Sequence, residues 1–336
     1  MNSSGPRVAI GVDIGGTKVF GVVLAPDGSV AAEARVPTPQ VEGVVAPSAA
    51  HETGAEVADA VAAVVTSLGQ GVAIDETGPL LVGVGAPGMV DRQGRLRFAP
   101  NLPSSSGADL AGLISARIDD AVVVVENDAN CAVLAEQQFG ALRGIRDGLL
   151  VTLGTGIGGG LVLDGIVRLG WSGFAGEVGH MIVDPSGPPC PCGRRGCWER
   201  YASGGGLGRL AREAAYAGQL PHVVARVGGD PENVRGEDIT RAAVAGDEGA
   251  LAVLEELGWW VALGLANLVA VIDPECCVIG GGLAEAGELL FAPTRSAFSE
   301  LVEGAQLRPQ ISVLGAALGE RAGAVGAALV ARRKRS

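Results

Sequence analysis

Two stretches of the chain follow one plan: a strand, a glycine turn that carries a threonine, and a second strand. The first runs from Ile10 to Val23 and the second from Gly148 to Leu163. Turns of this kind expose backbone amides that can hold phosphate oxygens. The repeated hairpin predicts a nucleotide clamped between two related α/β domains, with Thr17 and Thr155 facing a shared cleft.

The residues of these hairpins are suited to binding phosphate and magnesium. The first hairpin is not a P-loop, because its glycine turn leads into a strand and not into a helix. Asp13 can hold a magnesium ion through water. Lys18, one of only two lysines, is a candidate for phosphate contact, with an ordinary exposed strand residue as the alternative. The nucleotide-binding residues predicted for the two hairpins are Asp13, Gly15, Gly16, Thr17, Lys18, Thr155 and Gly156.

The length of the chain, 336 residues, exceeds the usual limit for one core and predicts two domains. The first is expected to comprise residues 1–119 together with 316–336, and the second residues 120–315. A helix rich in alanine and glycine, from Gly319 to Arg332, is expected to pack back on the first domain.

Charge and composition argue against some classes of function. The net charge is −12, the isoelectric point is near 4.8, and the only basic cluster is terminal, so nucleic-acid binding is not expected. The longest apolar stretch, Gly258 to Ile272, is too short to span a membrane and predicts a buried helix. The N-terminus has no secretory pattern, which predicts a cytoplasmic protein with reduced thiols.

A candidate catalytic motif follows a run of four valines. The stretch Ala121 to Val125 predicts a central buried strand that opens the second domain, and a helix from Cys131 to Phe139 comes after it. The intervening residues, Glu126-Asn-Asp-Ala-Asn130, lie where open α/β sheets bind their ligands. Asp128 could instead simply cap the helix, and the pattern leaves that alternative open.

The rest of the chain predicts further helices and one more ligand contact. The other predicted helices cover residues 55–68, 108–118, 204–217, 239–245 and 248–271, with a polar loop before residue 237. A glycine run follows the predicted strand Cys276 to Ile279. Bare backbone at a strand end lets a flat ring lie against it, so Gly281 and Gly282 are predicted to contact adenine.

The stretch from Gly173 to Arg200 holds a candidate metal site. Cys190, Cys192 and Cys197 fall within eight residues, and His180 lies ten residues before the first of them. Three thiolates and an imidazole form a tetrahedral zinc set, and four protein ligands leave no open position, as in structural zinc sites. Buried thiols or disulfide partners are the alternative, but a short window among glycines and prolines is poorly suited to packing.

Two acids accompany this candidate metal site. Glu177 lies three residues before His180, and Glu199 lies two residues after Cys197, so a zinc ion would fix both acids relative to each other. With one ring nitrogen of His180 on the metal, the other could meet a substrate hydroxyl. The stretch therefore predicts a site for a polyhydroxylated molecule.

Five motifs, in this order, carry a resemblance to a known family. They are D-I-G-G-T-K from Asp13, E-N-D-A-N from Glu126, L-G-T-G-I-G-G-G from Leu153, G-E-V-G-H from Gly176, and C-x-C-G-x-x-G-C-x-E from Cys190. Over nearly its whole length the sequence resembles the ROK sugar kinases, and within them the bacterial ATP-dependent glucokinases. The resemblance implies an actin-like ATPase fold, which is ribonuclease H-like, with two α/β domains and a cleft between them. It also implies ATP with Mg²⁺ as donor, a hexose as acceptor, structural Zn²⁺, and a homodimer or homotetramer.

The resemblance also implies roles for individual residues. Asp128 is similar to the family's general base, which contacts the sugar and accepts the proton of its 6-hydroxyl group. The residues that resemble its other sugar ligands are Asn101, Asn127, Glu177, His180 and Glu199. The implied reaction is the phosphorylation of glucose to glucose 6-phosphate.

Several alternatives stay open at this point. The hexose could be mannose, fructose, N-acetylglucosamine or N-acetylmannosamine, and polyphosphate could replace ATP. Trp171-Ser172 differs from many family members and bears on which epimer fits. A sugar-sensing repressor of the same family is less expected, because such repressors carry a helix-turn-helix domain before the D-I-G-G-T strand and only a short segment precedes Asp13. The cysteine motif also disfavours a cytoskeletal actin-like polymer.

Overall fold

The computed structural model describes residues 7–39, 54–70, 78–99, 102 and 105–333. The strands are β1 (Ala9–Ile14), β2 (Lys18–Leu24), β3 (Val30–Pro37), β4 (Leu80–Ala86), β5 (Met89–Val90), β6 (Leu96–Phe98), β7 (Ala121–Asn127), β8 (Gly148–Leu153), β9 (Ile157–Leu163), β10 (Ile166–Val167), β11 (Cys276–Gly280) and β12 (Ser312–Gly315). The helices are α1 (Ala55–Gly69), α2 (Leu110–Ser115), α3 (Asp128–Phe139), α4 (Glu199–Ala202), α5 (Gly204–Tyr216), α6 (Pro221–Arg226), α7 (Gly236–Val244), α8 (Glu248–Ile272), α9 (Glu288–Leu301) and α10 (Ala322–Arg333).

The first sheet places one acidic residue on each side of a glycine. Its strand order is β3-β2-β1-β4-β7, with β1 antiparallel to β2 and parallel to β4, and β4 parallel to β7. Asp13 lies opposite Gly85, and Gly85 lies opposite Glu126. These residues stand near the carboxyl ends of three parallel strands, where α/β sheets bind ligands.

Strand β7 differs from its prediction as a central buried strand. It pairs in register with β4 and stands at the end of the first sheet's strand order in the described part of the chain. Val122 is 40% exposed. The valine run therefore reflects the preference of β-branched residues for a pleated, half-buried surface, and the prediction of two-sided burial was wrong.

The second sheet repeats the plan of the first. Its order is β10-β9-β8-β11-β12, which matches β3-β2-β1-β4-β7 position by position. In both sheets a hairpin stands beside two further parallel strands, here β11 next to β8 and β12 next to β11. The structure thus confirms the duplication predicted from the two glycine hairpins.

Packing divides the chain into two compact units. Unit 1 comprises residues 1–144, 160–176 and 317–336, and unit 2 comprises residues 145–159 and 177–316. The bounds predicted from the sequence, 1–119 with 316–336 and 120–315, assign β7, α3 and residues 160–176 differently, and they stay a prediction.

Helix α10 packs closely on the first sheet, as predicted for the C-terminal helix. A Cβ atom at Gly11 in β1 would overlap the carbonyl oxygen of Ala324, and one at Gly83 in β4 would overlap that of Ala327. Only glycine fits at such a close approach of two backbones. This packing also sets the start of α10 against Asp13, since a Cβ atom at Gly323 would meet the Asp13 carboxylate.

Helix α8 includes the apolar stretch that the sequence predicted to be a buried helix. It is the one helix among the described residues that is long and apolar enough to cross a membrane. One face is buried inside unit 2, where α8 packs against α5, α7 and α9. Gly264 lies against the ring of Trp198, which is fully buried. These contacts are those of a core helix.

Two small features were missed by the sequence analysis. Strands β5 and β6 form a separate two-stranded sheet, and α6 lies within the stretch predicted to be a loop. Both are short, and segments of two to six residues carry too little periodicity to be recognised.

Candidate active site

The tip of the first hairpin is held by a residue that the sequence analysis did not single out. The amide of Gly15 donates to the carbonyl of Lys18 at 2.9 Å, which closes the turn. Thr38, just after β3, donates its hydroxyl to the Gly15 carbonyl at 2.7 Å and its amide to the Thr17 carbonyl at 3.1 Å. Gly16 and Thr17 are exposed at the tip. The turn is therefore fixed while its tip stays open to a ligand.

Lys18 belongs to a small charged cluster in unit 1. Its ammonium group pairs with the carboxylate of Glu320, and Arg35 lies 3.4 Å from the other oxygen of the same carboxylate. The hydrogen bond from Lys18 lowers the pKa of Glu320. Lys18 is thus more than an isolated strand residue, and its contact with phosphate stays a prediction.

Asp13 presents an unsatisfied carboxylate oxygen beside Gly85 and Gly323. Its Oδ1 is buried and has no hydrogen-bond partner among the described residues. Burial, and after it the charge of Asp128, raise the pKa of Asp13 to about 8, although Lys18 lowers it. A divalent cation would offset both raising effects, because a nearby positive charge favours an ionised carboxylate. An oxygen donor without a partner in a negative environment fits the predicted magnesium site.

Asp128 does not cap its helix. The N-cap of α3 is Asn127, whose Oδ1 accepts from the Asn130 amide at 3.0 Å. Asp128 is the first helical residue, and its Oδ1 accepts from the Ala129 amide at 2.8 Å. Burial raises the pKa of Asp128 to about 6, although backbone hydrogen bonds lower it. The helix-cap alternative is therefore wrong, and the carboxylate has the environment of a proton acceptor near neutral pH.

Glu126 and Asn127 organise the same motif. The Oε1 atom of Glu126 accepts from the Asn127 amide at 2.9 Å and from Nδ2 of Asn130 at 3.2 Å. Nδ2 of Asn127 donates to the Gly88 carbonyl at 3.0 Å. The Asn127 side chain thus already makes two hydrogen bonds, and each of its polar groups keeps one further position for a ligand.

The predicted sugar ligands divide between the two units. Asn127 and Asp128 belong to unit 1, and Glu177, His180 and Glu199 belong to unit 2. Asn101 lies outside the described residues.

His180 and three cysteines come together as their spacing predicted. One ligand atom from each of the four residues lies within 4.8 Å of all the others. Cys190 Sγ is 3.8 Å from His180 Nδ1, and the sulfurs of Cys192 and Cys197 are 3.6 Å apart. Bonds of about 2.0–2.3 Å to a tetrahedral zinc ion give ligand separations of this size, whereas a disulfide needs about 2.05 Å. The four side chains therefore fit a structural zinc ion, and all six cysteines are free.

The two ring nitrogens of His180 face different groups. Nδ1 faces Cys190, and Nε2 lies 3.9 Å from an oxygen of Glu177. This is the arrangement needed for a histidine that holds a metal through one nitrogen and meets a ligand with the other. Its contact with a sugar hydroxyl stays a prediction.

The second hairpin is braced in unit 2 by the glutamate of the cysteine motif. The amide of Gly154 donates to the Gly156 carbonyl at 2.9 Å, and Thr155 is exposed at the tip. The amide of Ile157 donates to Glu199 Oε2 at 3.0 Å. Glu199 was predicted only as a sugar ligand, so its bond to the hairpin is an additional finding.

Gly281 and Gly282 differ in what surrounds them. Gly281 has a φ of 83°, and a Cβ atom there would meet the backbone of Leu153 at 2.5 Å. Packing alone therefore requires glycine at this position. Gly282 has open space around it. The predicted adenine contact stays a prediction.

These features suit transfer of a phosphoryl group. Phosphoryl transfer is catalysed mainly by positioning and by stabilisation of negative charge, with one carboxylate that orients or deprotonates the nucleophile. The chain offers two glycine hairpins with exposed tips, an acid suited to magnesium, and a partly buried aspartate with a raised pKa.

The chain is similar to known proteins over nearly its whole length. A glucokinase from Streptomyces coelicolor is 39% identical over 329 residues, which are 97% of this chain and 98% of that protein. A glucokinase from Thermotoga maritima is 35% identical over 326 residues, which are 97% of each protein. The crystal structure of a ROK family glucokinase from Streptomyces griseus, in complex with glucose and AMPPNP, is 38% identical with a TM-score of 0.84 and covers 97% of this chain and 99% of its own.

The predicted fold class is confirmed by these similarities: the chain has the actin-like ATPase fold with two α/β domains. The ROK family profile matches residues 9–334. The chain therefore belongs to the ROK family.

Proposed function

We propose that this chain is a glucokinase that transfers the γ-phosphoryl group of ATP to the 6-hydroxyl of glucose. The products are glucose 6-phosphate and ADP. Relatives named glucokinase match nearly the full length of the chain, and one of them was solved with glucose and AMPPNP. In this chain, the observation that carries the proposal is Asp128, which is partly buried, has a pKa of about 6 and is not used as a helix cap.

Asp128 is the proposed general base. Its carboxylate accepts the proton of the glucose 6-hydroxyl as that oxygen attacks the γ-phosphorus, and the bond between this phosphorus and the bridging oxygen of ADP breaks. A positioned base of this kind contributes about 10²- to 10⁴-fold in rate. Buried hydrogen-bonding groups also select for the sugar, because a ligand that leaves them unpaired binds poorly. The proposed sugar ligands are Asn101, Asn127, Asp128, Glu177, His180 and Glu199.

ATP and its magnesium ion are assigned to the hairpins. Bound Mg²⁺ supplies positive charge that neutralises the phosphates, and Asp13 would hold it through water. Adenine would lie at the glycines after β11. The other residues proposed for ATP are Gly15, Gly16, Thr17, Lys18, Thr155, Gly156, Gly281 and Gly282. Zinc bound by His180, Cys190, Cys192 and Cys197 would be structural.

The proposed location of the protein is the cytoplasm, and its proposed assembly is a homo-oligomer. A reduced, cytoplasmic location suits a zinc site with three thiolates, because these ligands must stay unoxidised. A homodimer or homotetramer is proposed from the family resemblance.

The pH dependence of the reaction follows from the raised pKa of Asp128. The base must be deprotonated, so activity is expected to be lost as pH falls through about 6, with kcat/KM for glucose dropping about tenfold per further pH unit. An aspartate with an ordinary pKa near 3.9 would stay ionised to much lower pH. Initial rates from pH 4.5 to 8 at saturating MgATP check this. A flat profile down to pH 5 would contradict the assignment.

The choice of sugar can be tested with a panel of substrates. ADP release should be fastest with glucose, and mannose, fructose, N-acetylglucosamine and N-acetylmannosamine should have kcat/KM values lower by about tenfold or more. The matched control is 6-deoxyglucose, which lacks only the acceptor hydroxyl and should inhibit without being phosphorylated. A parallel series with polyphosphate tests the donor. ADP release with none of these sugars would favour the alternative of a non-catalytic sugar-sensing regulator.

A further inference from the structure

Two chain segments contact the second hairpin, and both of them carry residues of the proposed metal site. The amide of Ile157 donates to Glu199 Oε2 at 3.0 Å. On the other side, a Cβ atom at Gly179 would meet the Ile157 carbonyl oxygen at 2.5 Å, so the backbones of these residues are in close contact. Gly179 directly precedes His180. The Ile157 amide is therefore held by one segment that carries metal-site residues, and the Ile157 carbonyl is closely approached by the other.

Glu199 is itself rigidly placed. It follows Trp198, which is fully buried and donates its indole N–H to the Trp260 carbonyl at 2.7 Å. Cys197, just before them, is one of the four metal-site residues. The carboxylate thus extends from an anchored segment and is not a mobile surface side chain.

The Glu199 carboxylate packs tightly against the backbone of the hairpin at Gly156. A Cβ atom at Gly156 would overlap Oε2 of Glu199. Only Oε2 takes part in a hydrogen bond; Oε1 accepts none within the described part of the chain. One oxygen therefore holds the hairpin, while the other is available to a ligand.

We propose that Glu199 is a positioning residue for the nucleotide. Its Oε2 holds the Gly156–Ile157 backbone in the conformation that receives phosphate, while its Oε1 meets the sugar. This deepens the proposed function and rests on it, because it takes the second hairpin to bind ATP. Glu199 then links the metal site, the sugar and the nucleotide through a single carboxylate, so loss of this side chain weakens nucleotide binding even when no sugar is present.

Calorimetric titration of the sugar-free protein with Mg-ADP tests the proposal. Glu199→Ala removes the acceptor for the Ile157 amide and should raise the Kd for Mg-ADP about tenfold. Glu199→Gln keeps an acceptor oxygen and should stay within about threefold of the wild type. Asp184→Asn is the matched control, because Asp184 is a partly buried acid of the same region that binds Tyr201 and Ser186 instead of the hairpin. It should leave the Kd unchanged.

A double-mutant cycle keeps the test valid if Glu199→Ala also loosens the fold. Gly156→Ala would push against Glu199, and so it should weaken Mg-ADP binding less in the Glu199→Ala background than in the wild type. Any direct obstruction of phosphate by the new methyl group is present in both backgrounds and cancels.

The outcomes separate the inference from the proposed function. Wild-type protein that binds Mg-ADP, with Glu199→Ala binding equally well at unchanged melting temperature, overturns the role of Glu199 alone. Additive effects of Gly156→Ala and Glu199→Ala on the free energy of Mg-ADP binding would also overturn the role of Glu199 alone. Wild-type protein that binds no Mg-ADP overturns both this role and the proposed kinase function.

Discussion

Replacement of Asp128 by asparagine is expected to lower glucose turnover by about two to four orders of magnitude, the usual worth of a general base. Asparagine keeps the shape of the side chain and an oxygen that can accept from the Ala129 amide, but it cannot take a proton. The helix cap is untouched, because Asn127 provides it. Glucose affinity and melting temperature should therefore change little. Steady-state kinetics, calorimetric glucose binding and thermal melting measure these three quantities.

The control for this substitution is Asp109→Asn. Asp109 is a true N-cap in unit 1, where its side chain accepts from the Gly112 amide at 3.1 Å at the start of α2. Asparagine caps about as well as aspartate, so D109N should retain full activity. Near-normal turnover of D128N would remove Asp128 from the mechanism, and Glu177 would be the next carboxylate to test.

Loss of the proposed zinc ion is expected to have the second largest effect. Cys192→Ser removes one of four ligands, and the metal normally stabilises only the folded state. A loss of several kcal/mol corresponds to a fall in Tm on the order of 10 °C for a domain of this size. Glucose affinity should fall with it, since His180 is a proposed ligand of both metal and sugar. Thermal melting, glucose titration and elemental analysis measure the three effects.

The control for the zinc prediction is Cys276→Ala. Cys276 is a buried thiol in β11 and is not one of the four clustered residues. Its substitution costs packing but should leave one zinc ion per chain. Active wild-type protein without stoichiometric zinc would contradict the assignment.

Local arrangements that depend on spacing along the chain were predicted correctly from the sequence. Cys190, Cys192 and Cys197 are close along the chain, so their convergence needs only a tight turn, and the glycines at 193 and 196 supply it with φ values of 88° and 67°. The hairpin tips are local in the same way, because a glycine turn between two strands brings its own residues together.

Strand partners and long-range hydrogen bonds could not be predicted from local patterns. The partner of β7 is β4, and alternation along a strand does not identify its neighbour. Glu136 is another case: it is fully buried and accepts from the amides of Ala141 and Leu318 at 2.7 and 2.8 Å. The hydrogen bond from Thr38 to the first hairpin and the ion pair between Glu320 and Lys18 were not predicted, for the same reason.

Local pattern also could not decide which residue caps α3. Asn127 and Asp128 are adjacent, and both residue types are favoured caps. The choice depends on where the helix begins, which follows from the pairing of β7 with β4 through Asn127. The structure assigns the cap to Asn127, so the Asp128 carboxylate is not needed as a cap and is left for its proposed role as the base.

Phosphorus and proton NMR of the reaction between purified protein, MgATP and glucose identifies both the product and the atom that receives the phosphoryl group. We expect one molecule of glucose 6-phosphate for every ADP formed, with phosphorus coupled to the protons on carbon 6 of the sugar. Product that carries phosphate at another position would contradict the role given to the 6-hydroxyl. Glucose binding with neither ADP nor sugar phosphate formed would contradict the assignment of this chain as a kinase.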